Sequence, residues 1–187
     1  MRFSRRGLLL GVTGVALFPH SAGASVARGL TLGELVYESS HVLVGKAVES
    51  FANWEQIGKR RAIVTYSLFH VEEPLDGRNP PGAEITIRTL GGTVGNLGQT
   101  FYGEAVVALN ERATVFVHDV APDLYAVTAM AQGHYPVRPD ARGTHRLHAV
   151  FSSVVLTGTD EAAMRRLDGR TTPEVTDLIA REFERAR

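Results

Sequence analysis

Three histidines within fifteen residues, His134, His145 and His148, are the nearest this chain comes to a metal constellation. Neutral imidazole is the commonest side-chain ligand of zinc and copper. A pair spaced like His145 and His148 shares a face only on a helix; in extended chain it points to opposite sides. Pro139, Gly143 and their polar neighbours make this stretch extended, which favours surface or interface histidines. A small exported hydrolase or metal-binding enzyme using the His134–His148 region is the alternative. Serine chemistry has less to stand on. There is no G-x-S-x-G elbow, and Ser152 and Ser153 belong to a strand-like apolar run. Glu72, Glu73 and Asp76 come at a strand end and turn, where solvated carboxylates are ordinary. No catalytic, metal or cofactor residue is therefore assigned.

The segment RTLGGTVGNLGQTFYGE, residues 88–104, holds five glycines spaced much like a phosphate loop. Such a loop needs a strand before it and a helix after it, because the helix amino terminus supplies free amides and dipole. Ile85–Ile87 provide the strand, but the residues after the loop have no helix cap or helical period, and no lysine stands within it. The expectation is no nucleotide cofactor, with Gly91, Gly92, Gly95 and Gly98 serving turns, bulges and close backbone approach. Arg88, Gly91, Gly92 and Asn96, together with Gln132, His134 and Tyr135, form a candidate binding surface if the third and fifth strands are neighbours.

The elements that must position these residues belong to an exported chain. Residues 1–24 read MRFSRRGLLLGVTGVALFPHSAGA, a basic start and an apolar stretch of 12 residues from Gly7 to Phe18. As a helix that stretch is about 18 Å long, short of the ~30 Å bilayer core, so it reads as a signal peptide and leaves no stable membrane anchor after cleavage. Ala22 and Ala24 suit a peptidase cutting after Ala24. Ser4, Arg5 and Arg6, followed by Gly7-Leu8-Leu9, resemble the twin-arginine export motif. The expected address is the periplasm or the medium.

Of the 20 basic residues, three lie in this leader, leaving 17 against 20 acidic ones. That balance provides no cationic footprint for nucleic acid. With no cysteine, the mature chain has neither disulfides nor thiolate metal sites and must hold together through its core.

Thr31-Leu32-Gly33-Glu34 is a capping box opening a short helix that ends near Ser39-Ser40. Strands are expected over HVLVGKAVES (41–50), AIVTYSLFHVEE (62–73), AEITIRT (83–89), RATVFVHDV (112–120) and LYAVTAMA (124–131), with a polar loop at 51–61. Short turns and the lack of crossover helices imply a mainly β, five-stranded antiparallel Greek-key barrel of the OB type over 25–137, or else a β-sandwich. Residues 138–187 read as an extension: an arm or hairpin, one more strand, and helices packed on the barrel. The last helix is capped by Thr172, with Pro173 in its first position.

The run LGELV, SSHVLVGKAV, FHVEEPLDG, ITIRTLGGTVGNLG and MAQGHYPV, over residues 31–137, resembles a family of secreted bacterial domains. Through them it resembles the netrin-like and tissue-inhibitor-of-metalloproteinase OB modules. The resemblance implies the barrel and a protein- or peptide-binding role, such as an accessory or protease-inhibitor-like domain. Those inhibitors ligate their target's zinc through an amino-terminal cysteine, which this chain lacks, so that mechanism does not carry over.

Overall fold

In the computed structural model, residues 25–76, 81–151, 154–158 and 161–185 are described. Ser4, Arg5, Arg6, Ala22 and Ala24 of the leader, and Ser152 and Ser153, lie outside them. The described chain begins with β1 (Ser25–Arg28) and α1 (Leu32–Glu38). The capping box is formed: Thr31 Oγ1 accepts from the Glu34 N–H at 3.2 Å, and the Glu34 carboxylate accepts from the Thr31 N–H at 2.8 Å.

Next come β2 (His41–Ile57) and β3 (Arg60–Pro74), a single long hairpin turning at Gly58. The polar loop expected at 51–61 is therefore strand on both sides of a two-residue turn at Gly58-Lys59. Cross-strand side-chain pairs explain the difference. Phe51 stacks on Tyr66 with centroids 5.2 Å apart, and the Arg61 guanidinium lies 5.4 Å from the Trp54 ring. Trp54 thus sits on a strand, not in a loop.

β4 (Glu84–Leu90) pairs with β3, and the glycine-rich segment folds into a small hairpin of β5 (Gly92–Val94) and β6 (Leu97–Gln99). After these come β7 (Arg112–Ala121), β8 (Leu124–Val127), a 3₁₀ turn (Met130–Gly133), β9 (His134–Pro139), β10 (His145–Leu147) and β11 (Val154–Thr157). Helices α2 (Ala163–Leu167) and α3 (Thr172–Arg185) end the chain. The cap of α3 is Thr171, one residue earlier than expected: the Glu174 carboxylate accepts from the Thr171 N–H at 2.8 Å.

The fold is mainly β, with a mixed sheet of seven strands in the order β10-β9-β7-β2-β3-β4-β8, in which β8 also pairs with β7. The expected all-antiparallel set of five is corrected on both points. Pairing runs in a ring, β7-β2-β3-β4-β8 and back to β7. Five strands in a ring cannot alternate direction all the way round, so one neighbouring pair must be parallel. That pair is β4 with β8, Thr86–Arg88 against Leu124–Ala126. β9 pairs with the start of β7 and β10 with β9, extending the sheet beyond the ring.

Two buried clusters result. One is enclosed by the ring and includes Leu43, Phe69, Ile87, Val115 and Val117. The other lies between the opposite face of the sheet and the helices, with Leu32, Phe116, Tyr135, Leu147, Met164 and Ile179. This second core draws on both sides of residue 137, and α3 is docked in it through Val175 and Ile179. Among the described residues no helix is long and apolar enough to cross a membrane.

Candidate functional site

Between β6 and β7, residues 104–108 belong to no helix or strand, and the next residue, Leu109, makes an isolated parallel bridge to Ala47 of β2. The burial of residues 104–108 nevertheless alternates as a strand's does: Ala105 and Val107 point into the ring core, while Val106 is 75% exposed. Two adjoining clefts flank this segment, and Glu104 and Val106 line both.

The first cleft, about 240 Å³, is also lined by Glu111, Ala131, His134, Pro136, Arg138 and Val150. The second, about 250 Å³, is bounded by the glycine hairpin through Gly91, Gly92, Gly98 and Gln99. Each is smaller than the ~300–1,000 Å³ of typical small-molecule sites. Each therefore has room for a side chain or two rather than for a cofactor.

The turn that shapes the first cleft is held from several directions. Ala129 and Met130 both have positive φ, 53° and 59°, a conformation that costs a non-glycine residue about 1–3 kcal/mol. Hydrogen bonds hold the turn in place. Ala131 N–H donates to the Gly103 carbonyl at 2.9 Å. The Gln132 side chain accepts from the Leu30 N–H at 2.9 Å and donates to the Arg28 carbonyl at 3.1 Å. Gly133 is obligatory, because a Cβ there would strike the Thr128 carbonyl oxygen.

Three polar features face the cleft. Arg138 donates from Nε and Nη2 to Glu111 Oε1 at 2.9 and 2.6 Å. His134 is only 3% exposed, and burial, partly offset by Glu111, lowers its pKa to about 4. Its imidazole is neutral at pH 7 and makes no hydrogen bond among the described residues. Burial raises the Glu104 carboxyl above its ordinary value, against the lowering effect of backbone N–H groups of Ala105 and Leu90 and the charge of Arg88.

The structure divides the surface expected from sequence. His134 lines the first cleft, and Gly91 and Gly92 line the second. Gly92 has φ 125° and lies so close to β3 that a Cβ would meet the Thr65 hydroxyl. Arg88 is turned toward the β2–β3 hairpin, with Nη2 2.6 Å from Glu55 Oε2. Asn96 is exposed at the tip of the β5–β6 hairpin. Gln132 and Tyr135 are buried, the first as the clamp just described and the second against Phe116.

His145, at the exposed start of β10, pairs with Pro139. Among the described residues no group of three or more His, Asp or Glu side chains is placed to hold a metal ion. Glu104, Glu111 and Arg138 were not singled out from sequence. Glu104-Ala105-Val106-Val107 shows no polar–apolar alternation along the chain; only its burial alternates, which the sequence does not display. Comparisons with protein-family models, curated proteins and solved structures found no match.

Proposed function

We propose that the chain is an exported, non-catalytic binding module built on a five-stranded OB-like barrel, and that an extended segment of a protein or peptide partner lies along residues 104–108. The observation that carries this reading is the Glu104–Ala108 segment itself. It is strand-like in burial, outside every ladder, and flanked by two clefts of side-chain size. A segment of this kind offers backbone donors and acceptors to an incoming chain, and alternate pockets for its side chains.

Exposed Val106, with exposed Tyr102 and Leu109 just beyond the two ends of the segment, gives this stretch an apolar character. The pairing ring supports the barrel, and the resemblance to netrin-like modules supports a binding role for it. The leader supports export by the twin-arginine route.

A photo-crosslinking residue placed at Val106, in protein expressed with its own leader in its native host, tests the site. The expected result is a discrete adduct absent when the crosslinker replaces Tyr37, which is 84% exposed on α1. Equal or no adducts at the two positions would overturn it. Export is tested by replacing Arg5 and Arg6 with lysine. Accumulation of uncleaved precursor in the cytoplasm is expected, and undiminished mature protein starting at Ser25 would refute the twin-arginine route.

A further inference from the structure

We propose that Glu104 is the recognition anchor of this cleft and takes a cationic side chain, lysine or arginine, from the bound segment. The inference rests on the peptide-binding reading above and adds the chemistry of its ligand. Glu104 stands at the junction of the two clefts, the one charged side chain that lines both. It forms no ion pair among the described residues; its carboxylate accepts only backbone N–H groups, that of Ala105 at 3.3 Å.

The neighbouring cations are committed elsewhere. Arg88 is 2.6 Å from Glu55, and Arg138 is 2.6 Å from Glu111. With His134 neutral, the first cleft holds two carboxylates against one guanidinium. A half-buried carboxylate that holds only backbone N–H groups and has no ion-pair partner among the described residues is incompletely solvated, so an incoming ammonium or guanidinium gains an attraction that water does not already supply. An anionic ligand would meet surplus negative charge. The walls match the rest of such a side chain: Val106, Ala108, Ala131 and Val150 offer apolar surface for its methylene stem.

Selection from a random twelve-residue peptide library displayed on phage, run on the wild-type protein and on Glu104→Gln, tests this. Val106→Asp serves as the control for binding at the cleft. Peptides enriched on the wild type should carry a recurrent Lys or Arg. In a chosen synthetic peptide, replacing that residue with norleucine should weaken binding to the wild type about tenfold and binding to Glu104→Gln less than about twofold.

Peptides that need Val106 but carry no recurrent cation, or that lose equal affinity on both proteins, would overturn the anchor and leave the peptide cleft standing. Absence of any Val106-dependent peptide would overturn both. Should Glu104→Gln fail to fold, the wild type decides the matter alone. Binding that is insensitive both to the norleucine exchange and to salt between roughly 0.05 and 0.5 M, a range where ion pairing weakens, refutes the anchor.

Discussion

β7 serves two cores with opposite faces of one strand. Val115 and Val117 point into the ring of strands, where Leu43, Phe69 and Ile87 arrive from neighbouring strands at the same two-residue period. Phe116, between them, points the other way and meets Tyr135, Met164 and Ile179, which come from β9, α2 and α3. The ring core combines the consecutive β2-β3-β4 and β7-β8 hairpins, which follow the order of the chain, with the β2–β7 and β4–β8 pairings, which join distant segments. The helix-side core requires the carboxy-terminal helices to return to the outer face of the sheet. The cleft lies beside this junction: Ala105 and Val107 anchor its segment in the ring core, and His134 on β9 is the immediate neighbour of helix-side Tyr135. A change in either core therefore reaches the cleft.

The largest expected effects test whether the two cores unfold together. Phe69→Ala in the ring and Phe116→Ala on the helix side, both fully buried, should each cost about 3–5 kcal/mol. Urea unfolding followed by far-UV and near-UV signals should show one coincident transition in both variants. Separate transitions in Phe116→Ala alone would mean that the helix side is an independently melting layer.

An intermediate effect is expected at His134. A histidine whose pKa falls from 6.5 to about 4 on folding favours the folded state more when neutral than when protonated, because burial penalises the charged ring. That contribution is complete above pH 6.5 and is lost as pH falls toward 4. At ~1.36 kcal/mol per pH unit it amounts to about 3 kcal/mol. Glu104, raised by burial, works in the opposite direction, gaining as pH falls. The comparison to make is therefore between the wild type and His134→Gln, with urea midpoints measured at about pH 7 and about pH 4. The wild type should lose more stability than the variant, and parallel losses would show that the imidazole is not buried neutral.

The smallest effect separates polar groups in the two cores. Tyr135 Oη on the helix side and Ser67 Oγ on β3 are buried without a hydrogen-bond partner among the described residues. Tyr135→Phe and Ser67→Ala should be neutral or stabilising by up to about 1 kcal/mol, because neither removes a hydrogen bond. A clear loss in Tyr135→Phe alone, read from the thermal midpoint, would reveal a partner for that hydroxyl and set the helix-side core apart.

The capping box at Thr31 and the strand periods of β3, β4 and β7 were readable because their signals lie within a few residues. The outer half of β2 was not. Asn53, Glu55 and Gln56 make the stretch after residue 50 look polar and irregular along the chain, and only the facing strand supplies the Phe51–Tyr66 and Trp54–Arg61 contacts. For the candidate site, His134 was visible as a residue of interest, but its burial was not. Glu104 carries no signal of its own in the sequence, because its segment has neither a helical period nor a strand's alternation. Arg88 looked available and is engaged by Glu55, a partner 33 positions away.

By itself the amino-acid sequence determined where chain direction changes, which residues alternate toward a core, and how the first helix begins. These depend on φ preferences, side-chain period and capping within a few residues. Tertiary structure alone decided that the ring closes through a parallel β4–β8 pair, that β7 carries a core on each face, and that Glu104 and His134 share one cleft. The reason is physical: closure, burial and charge pairing are set by which distant segments meet, and no local preference encodes the partner across the gap.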